Sequence, residues 1–277
     1  MTTLVMGATG AIGRALVAEL LSRGQSVAAL TRDAGRATGL PGGVEVRQGD
    51  FRRPQTLKRA LEGVERVYML ADPDVAHTVA ESLRQAGVKR IVAVVSAVLD
   101  ERDARGRVRN VIEDAVRGSG AEWTILRPRA FASNAVTWWS RTIRLHRGVH
   151  WVYPQARLSP IREADVAAVA AAALTEDGHA GRTYMLTGPE SLTQAEQVEI
   201  IGRAIGAEIS YHEIPREQAE EVLGDHGIPA EIIRKLLDTL EAAVDTDAQV
   251  TSTVQQVTNR PARTFARWAA EHVNDFR

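Results

Sequence analysis

The sequence predicts an α/β fold in which a doubly wound parallel sheet carries helices on both faces, followed by a smaller, mostly helical C-terminal lobe. Three observations predict it. Short β-branched runs alternate with amphipathic stretches through the first half of the chain. The run Ile91-Val92-Ala93-Val94-Val95 is apolar at every position, as a strand covered on both faces must be. A glycine-rich turn joins the first strand to the first helix. Strand–helix alternation of this kind builds right-handed βαβ units.

Taken in order, Thr3–Met6, Ser26–Leu30, Val44–Arg47, Arg66–Leu70, Arg90–Ser96 and Trp123–Leu126 read as strands, with helices between them. Past Pro128 an aromatic segment around Trp138 and Trp139 leads to Trp151-Val152-Tyr153-Pro154, and Ala164 to Thr175 reads as an alanine-rich buried helix. Tyr184–Thr187 is a further strand. Thr193 with Glu196 forms a capping box that opens a helix stopping near Gly206. From Pro215 onward the chain is mostly helical and polar, with Pro229 and Pro261 where first-turn prolines sit. Ile232, Ile233, Leu236, Leu237 and Leu240 make a packing stripe. Residues 1–154 are expected to form a nucleotide-binding domain, with 155–190 returning to it, and 191–277 a small lobe beside a substrate cleft.

Composition narrows the function. A chain of 277 residues, 44% hydrophobic, buries one sizeable core or a core with a satellite. With 34 basic against 35 acidic residues there is no electrostatic case for nucleic acid or an anionic membrane as partner. The absence of cysteine removes disulfides, thiolate metal sites and cysteine nucleophiles. No apolar run approaches the ~20 residues that cross a bilayer. A strand starts at once, with no leader pattern before it, so the expected location is the cytoplasm.

The glycine turn carries the strongest functional signal. Met6 is followed by Gly7-Ala8-Thr9-Gly10-Ala11-Ile12-Gly13 in the order strand, turn, helix. The first glycine makes the tight turn, the second lets backbone amides approach a pyrophosphate, and the third lets the helix pack closely on the strand. Gly7, Thr9, Gly10, Ala11, Ile12 and Gly13 are therefore expected to bind a dinucleotide in a Rossmann fold. The tip of the second strand, Thr31-Arg32-Asp33, selects the ribose: an acidic side chain favours NAD, whereas an arginine pairs with the 2′-phosphate of NADP. Arg32 comes first, so NADP (as NADPH) is the expected cofactor; Asp33 is the counter-signal that keeps NAD open. Asp50 and Phe51, after the third strand, either border the adenine or serve as a helix cap and a core ring.

These residues lead to a resemblance that spans almost the whole chain. Gly7 to Gly13, Thr31-Arg32, Gly49-Asp50-Phe51, Ala121 to Pro128 with Phe131 and Asn134, Ser159-Pro160-Ile161 before Ala164-Asp165-Val166-Ala167, and Tyr184 to Pro189 together resemble the NmrA-like family of atypical short-chain dehydrogenases/reductases. The resemblance implies NAD(P) binding, an extended Rossmann sheet and a small lobe closing over a substrate cleft. It does not imply one activity, since members include quinone reductases, other reductases and catalytically silent redox-sensing regulators.

The superfamily's usual proton donor is a tyrosine with a lysine four residues on, beside a serine. The tyrosines at 68, 153, 184 and 211 have no such lysine. Ser96 lies where the serine would be, and Arg109 where the lysine would be; an arginine can steer an anion but cannot give up a proton near neutrality. Both are candidate catalytic residues. Quinones suit a site without a protein acid, because they accept hydride into a delocalised phenolate and need mainly approximation of donor and acceptor. Phe131, Trp138, Trp139 and Tyr153 are the rings expected to line such an acceptor cleft, although neighbours on a helix cannot both face one way. His146 and His150 are four apart, but Gly148 lies between them and a third ligand is lacking, so no metal is expected. The expected function is an NADP(H)-dependent reductase of a quinone-like or other conjugated acceptor. The alternatives are a non-catalytic redox-sensing regulator acting through a partner protein, or a modifying enzyme of a biosynthetic pathway.

Overall fold

A computed structural model describes residues 1–70, 72–95, 104–225 and 227–277. Two compact units interleave along the chain. The first comprises Met1–Arg129, Glu163–Leu186 and Thr253–Arg260, the second Ala130–Arg162, Thr187–Ser252 and Pro261–Arg277. The grouping differs from the boundary at 154 read from the sequence, because residues 130–162 share a core with the later helices.

The first unit is built on seven parallel strands: β1 (Thr2–Met6), β2 (Ser26–Thr31), β3 (Glu45–Gln48), β4 (Val64–Leu70), β5 (Arg90–Val94), β6 (Glu122–Pro128) and, late in the chain, β9 (Arg182–Leu186). Their order is β3-β2-β1-β4-β5-β6-β9, so the chain reverses its winding between β1 and β4. That reversal opens a crevice at the carboxyl ends of the strands. Leu4, Met6, Val67, Met69, Ile91 and Ala93 face one side. There they pack with the short helix α2 (Leu57–Ala60), α3 (Ala76–Gln85) and α4 (Ala104–Arg117). Strand alternation sends Val5, Tyr68 and Val92 to the other face, which α1 (Ala11–Ser22) and α6 (Glu163–Thr175) cover as a packed pair. Helix α6 is nearly all alanine and valine and is buried from Val166 to Leu174 except at Ala168. Its side chains are small enough to let α1 lie close.

In the second unit, α5 (Asn134–His146), α7 (Gln194–Ile205), α8 (Arg216–Asp225), α9 (Ala230–Glu241) and α11 (Phe265–Glu271) surround a core that includes Trp139, Trp151, Phe265, Trp268 and Phe276. Two small ladders complete it: β7 (Gly148–Trp151) runs parallel to β11 (Ser210–Glu213), and β8 (Arg157–Leu158) antiparallel to β10 (Leu192–Thr193). Gln194 is fully buried; it accepts from the Trp151 indole at 3.1 Å and donates to the carbonyls of Val152 and Tyr153. Helix α10 (Thr253–Thr258) belongs to the first unit and lies on α6.

Two expectations need correction. Pro261 lies in the loop before α11 rather than in a first turn, while Pro229 is the N-cap of α9. In the stripe on α9, Ile233, Leu237 and Leu240 are buried but Ile232 is 49% exposed.

Candidate functional site

The turn after β1 is shaped by its glycines. Gly7 has φ +68°, and a Cβ there would stand 2.1 Å from Leu70 Cδ1. Gly10 donates its amide to the Gly7 carbonyl at 2.9 Å and forms the N-cap of α1 with no side-chain cap. The helical ladder begins only with Arg14 donating to Gly10 O, so the amides of Ala11, Ile12 and Gly13 have no partner within the helix. A Cβ on Gly13 would stand 2.1 Å from the Gly7 carbonyl oxygen and 2.7 Å from Ala8 Cα. Helix and turn therefore touch backbone to backbone, and the positive end of the helix is bare at the turn.

Beside it lies a cleft of about 650 Å³ at the carboxyl ends of the strands, lined by Gly7, Thr9, Leu30, Thr31, Arg32, Asp33, Gly49, Asp50, Phe51 and Arg52. Five sequence-predicted residues thus meet around one cavity: Gly7, Thr9, Arg32, Asp50 and Phe51. Arg32 is exposed, its carbonyl held by the Gln48 amide at 3.2 Å. Asp33 caps the 3-10 turn Ala34–Arg36, its Oδ1 accepting from the Gly35 amide at 2.9 Å. Asp50 Oδ1 accepts from the Arg52 amide, and the Thr56 hydroxyl accepts from the Asp50 amide at 2.8 Å. Asp50 is thus an Asx-turn residue at the cleft rim, and the cap of the following 3-10 turn is Arg53. Phe51 is half-buried, packed on the core while lining the cleft. Sequence reading missed Arg52, which lines the cleft and pairs with Asp72 at 2.9 Å; the basic pair after Phe51 was its only signal.

The residues fit a dinucleotide. Free amides at a helix N-terminus take a pyrophosphate, close packing at Gly7 and Gly13 leaves no room for a Cβ between strand, turn and helix, and the exposed Arg32 lines the same cleft.

The rings expected at the acceptor site sit in the second unit. Trp138 is half-buried and stacks on Trp151 with centroids 5.5 Å apart. Trp139 has no accessible surface and packs into the core, which leaves it no face to offer a substrate. Phe131 is half-buried beside Ile161, with which it forms an isolated bridge. Tyr153 adopts φ +51°, and its phenol is tied to Arg216 and Glu241; burial holds its pKa above the ordinary value. Arg216 also grips Asp238 at 2.6 Å and Glu220 at 3.3 Å, so Tyr153 belongs to a clasp between α8 and α9.

The other tyrosines are accounted for in the same way. Tyr68 is buried in β4 with its hydroxyl unpaired, and burial drives its pKa up. Tyr211 donates to the Val152 carbonyl, and burial raises its pKa too. Tyr184 pairs with His179 Nδ1 at 2.9 Å. His146 ends α5, whereas His150 lies in β7 and packs against His212, so the two do not share a helical face. Among the described residues no three metal-ligating side chains come together. Ser96 lies outside the described residues, and Arg109 falls within α4 with its side chain outside them. What fixes α4 to the sheet is Glu113. It is 1% exposed and accepts from Arg127 through both oxygens at 2.7 Å and from Arg117 at 2.7 Å.

A reversed strand order with a glycine turn and a bare helix end at the reversal defines a dinucleotide-binding protein of the Rossmann class. The profile of NAD(P)H-binding proteins matches residues 7–177, and the chain belongs to that NAD(P)H-binding family. It is 38% identical over 99% of its length, and 98% of the relative's, to the (4-alkanoyl-5-oxo-2,5-dihydrofuran-3-yl)methyl phosphate reductase of Streptomyces griseus. It is 35% identical, over 99% and 98%, to the NAD(P)H azoreductase of Xenophilus azovorans. Among solved structures, the fold is shared with the NADP(H) complex of Citrobacter triphenylmethane reductase, with TM-score 0.82, 23% identity and 99% and 100% of the two chains covered. It is also shared with the Escherichia coli NADPH-dependent quinone oxidoreductase, with TM-score 0.81, 22% identity and 97% and 98% covered.

Proposed function

We propose that the protein is an NADPH-dependent reductase of a small conjugated acceptor, working without a tyrosine–lysine dyad. The observation that carries the cofactor choice is the division of labour at the tip of β2. The Asp33 carboxylate is spent on the Gly35 amide while Arg32 stands exposed on the cleft, an arrangement that favours a 2′-phosphate over a free 2′-hydroxyl. Gly7, Thr9 and Gly10 to Gly13 hold the pyrophosphate through main-chain amides, and Asp50 and Phe51 border the adenine. NADPH, when bound, supplies the hydride.

The acceptor class rests on two supports. Relatives that align along nearly the full chain are named for an azo substrate and for an acylated dihydrofuranone. None of the four tyrosines is free to act as a poised acid: Tyr68 is buried and Tyr211 half-buried, both with pKa values raised by burial, and Tyr184 and Tyr153 are tied to other side chains. An acceptor of the quinone, azo or acyl-enone kind spreads the arriving charge over its own conjugated system, so solvent can deliver the proton and the protein's task is approximation. Ser96 would polarise the acceptor and Arg109 would steer an anionic one.

The occupied tyrosines equally support a second reading, a redox-sensing regulator that binds NADPH and a partner protein without turnover. The test is NADPH oxidation against a panel of quinones, an azo dye and a 4-acyl-dihydrofuranone, with NADPH and NADH titrated into the same sample. Turnover with at least one acceptor is expected; tight binding with none would overturn the reductase and leave the regulator.

A further inference from the structure

We infer that Arg53 is a second determinant of cofactor specificity, contacting the 2′-phosphate of NADPH together with Arg32; the inference rests on the NADPH reading above. A groove of about 1060 Å³ runs along the edge strand β3 and shares Arg32, Gly49 and Asp50 with the nucleotide cleft, so the two cavities meet at the carboxyl ends of β2 and β3. Arg53 lines the groove at that end. Its amide donates to the Asp50 carbonyl at 2.8 Å, and its own carbonyl accepts from Thr56, so the residue is carried on a fixed turn.

Of the other arginines near it, two are committed elsewhere, and Arg59 lines the groove on α2, away from the strand tips that the groove shares with the nucleotide cleft. Arg52 is paired with Asp72, and Arg47 is held by Glu45 and the carbonyls of Ala60 and Glu62. Arg32 and Arg53 have no ion-pair partner among the described residues. Two unneutralised guanidiniums beside one cavity repel each other unless an anion lies between them. A phosphate monoester, with three acceptor oxygens, is the group both can grip at once. At the other end of the groove, Glu45 and Glu62 disfavour a phosphate, which places the anion at the strand tips.

Equilibrium binding of NADPH, NADH, adenosine 2′,5′-bisphosphate and 5′-AMP separates the outcomes. Arg53→Ala is expected to weaken NADPH and the bisphosphate about tenfold, the loss of one charge-assisted contact, and to leave NADH and 5′-AMP within about twofold; Arg53→Lys recovers part of the loss. Arg59→Ala, which removes the same charge from the groove wall on α2, is expected to change none of them. If Arg53→Ala leaves NADPH binding intact while Arg32→Ala weakens it, this inference falls and the NADPH reading stands. Equal losses for NADPH and NADH, or the same loss from Arg59→Ala, would also overturn it. A wild-type protein that binds NADPH and NADH equally removes the reading and this inference together.

Discussion

At the scale of single residues, the glycines of the first turn do different physical work, and substitution separates them. A Cβ on Gly10 meets only the Gly7 carbonyl oxygen at 3.3 Å, whereas a Cβ on Gly13 lies 2.1 Å from that same atom. Gly10→Val is therefore expected to keep its fold and lose the cofactor, because the side chain occupies the approach to the free amides. Gly13→Val is expected to lose stability, by more than about 2 kcal/mol from overpacking; thermal denaturation and NADPH titration of the two variants check both. Arg32→Ala should weaken NADPH by about tenfold while NADH changes little, read by the same titration, and equal losses would refute its role. The Asp33 ambiguity shows where sequence reading stops. Aspartate is favoured both as a ribose partner and as a cap, and only the 2.9 Å bond from Gly35 tells which task it performs here. The same holds for Trp138 and Trp139: adjacency on a helix implied that one must turn inward, but which one depends on the packing of the whole second unit.

At the scale of elements, the strand readings fall within a few residues of each strand of the main sheet, because the central strands, covered on both faces, are short apolar runs; the apolar run in α6 is told from them by its length and its alanine content. Helix α7 was equally legible. Thr193 caps it through the Glu196 amide at 3.0 Å, Glu196 returns the bond at 2.7 Å, and Gly206 ends it in the left-handed region. The β7–β11 and β8–β10 ladders were not legible, since four- and two-residue strands carry too little alternation and exist only through their partners. Nor was the anchoring of α4, where Glu113 could be read as one more solvated helix charge. Its burial against Arg127 and Arg117 makes a different forecast. Glu113→Ala strands the Arg127 guanidinium, 20% exposed, and should cost about 2–3 kcal/mol, seen as a lowered denaturation midpoint. Glu113→Gln, which keeps a hydrogen-bonding shape, should cost less.

At the scale of the whole molecule, the cofactor cleft lies wholly within the first unit, while four of the five tryptophans, at 138, 139, 151 and 268, lie in the second. NADPH at a hundred times its dissociation constant should stabilise the unit that binds it by about 2.7 kcal/mol, raising the far-UV circular dichroism midpoint; no rise at that ratio would contradict the placement of the site. Tryptophan fluorescence reports chiefly on the second unit, so the pair of probes shows whether the stabilisation spreads. The interleaving of the units also has a consequence for synthesis on the ribosome. Helix α6 and strand β9 are made long before α10, the short helix that lies against both. At roughly 5–20 residues per second the nascent chain waits several seconds with that apolar flank bare. A ribosome that stalls within Thr187–Ser252 therefore releases a sheet whose seven strands have all been made but whose last cover is missing, and quality control should recognise that product by its exposed alanine-rich helix.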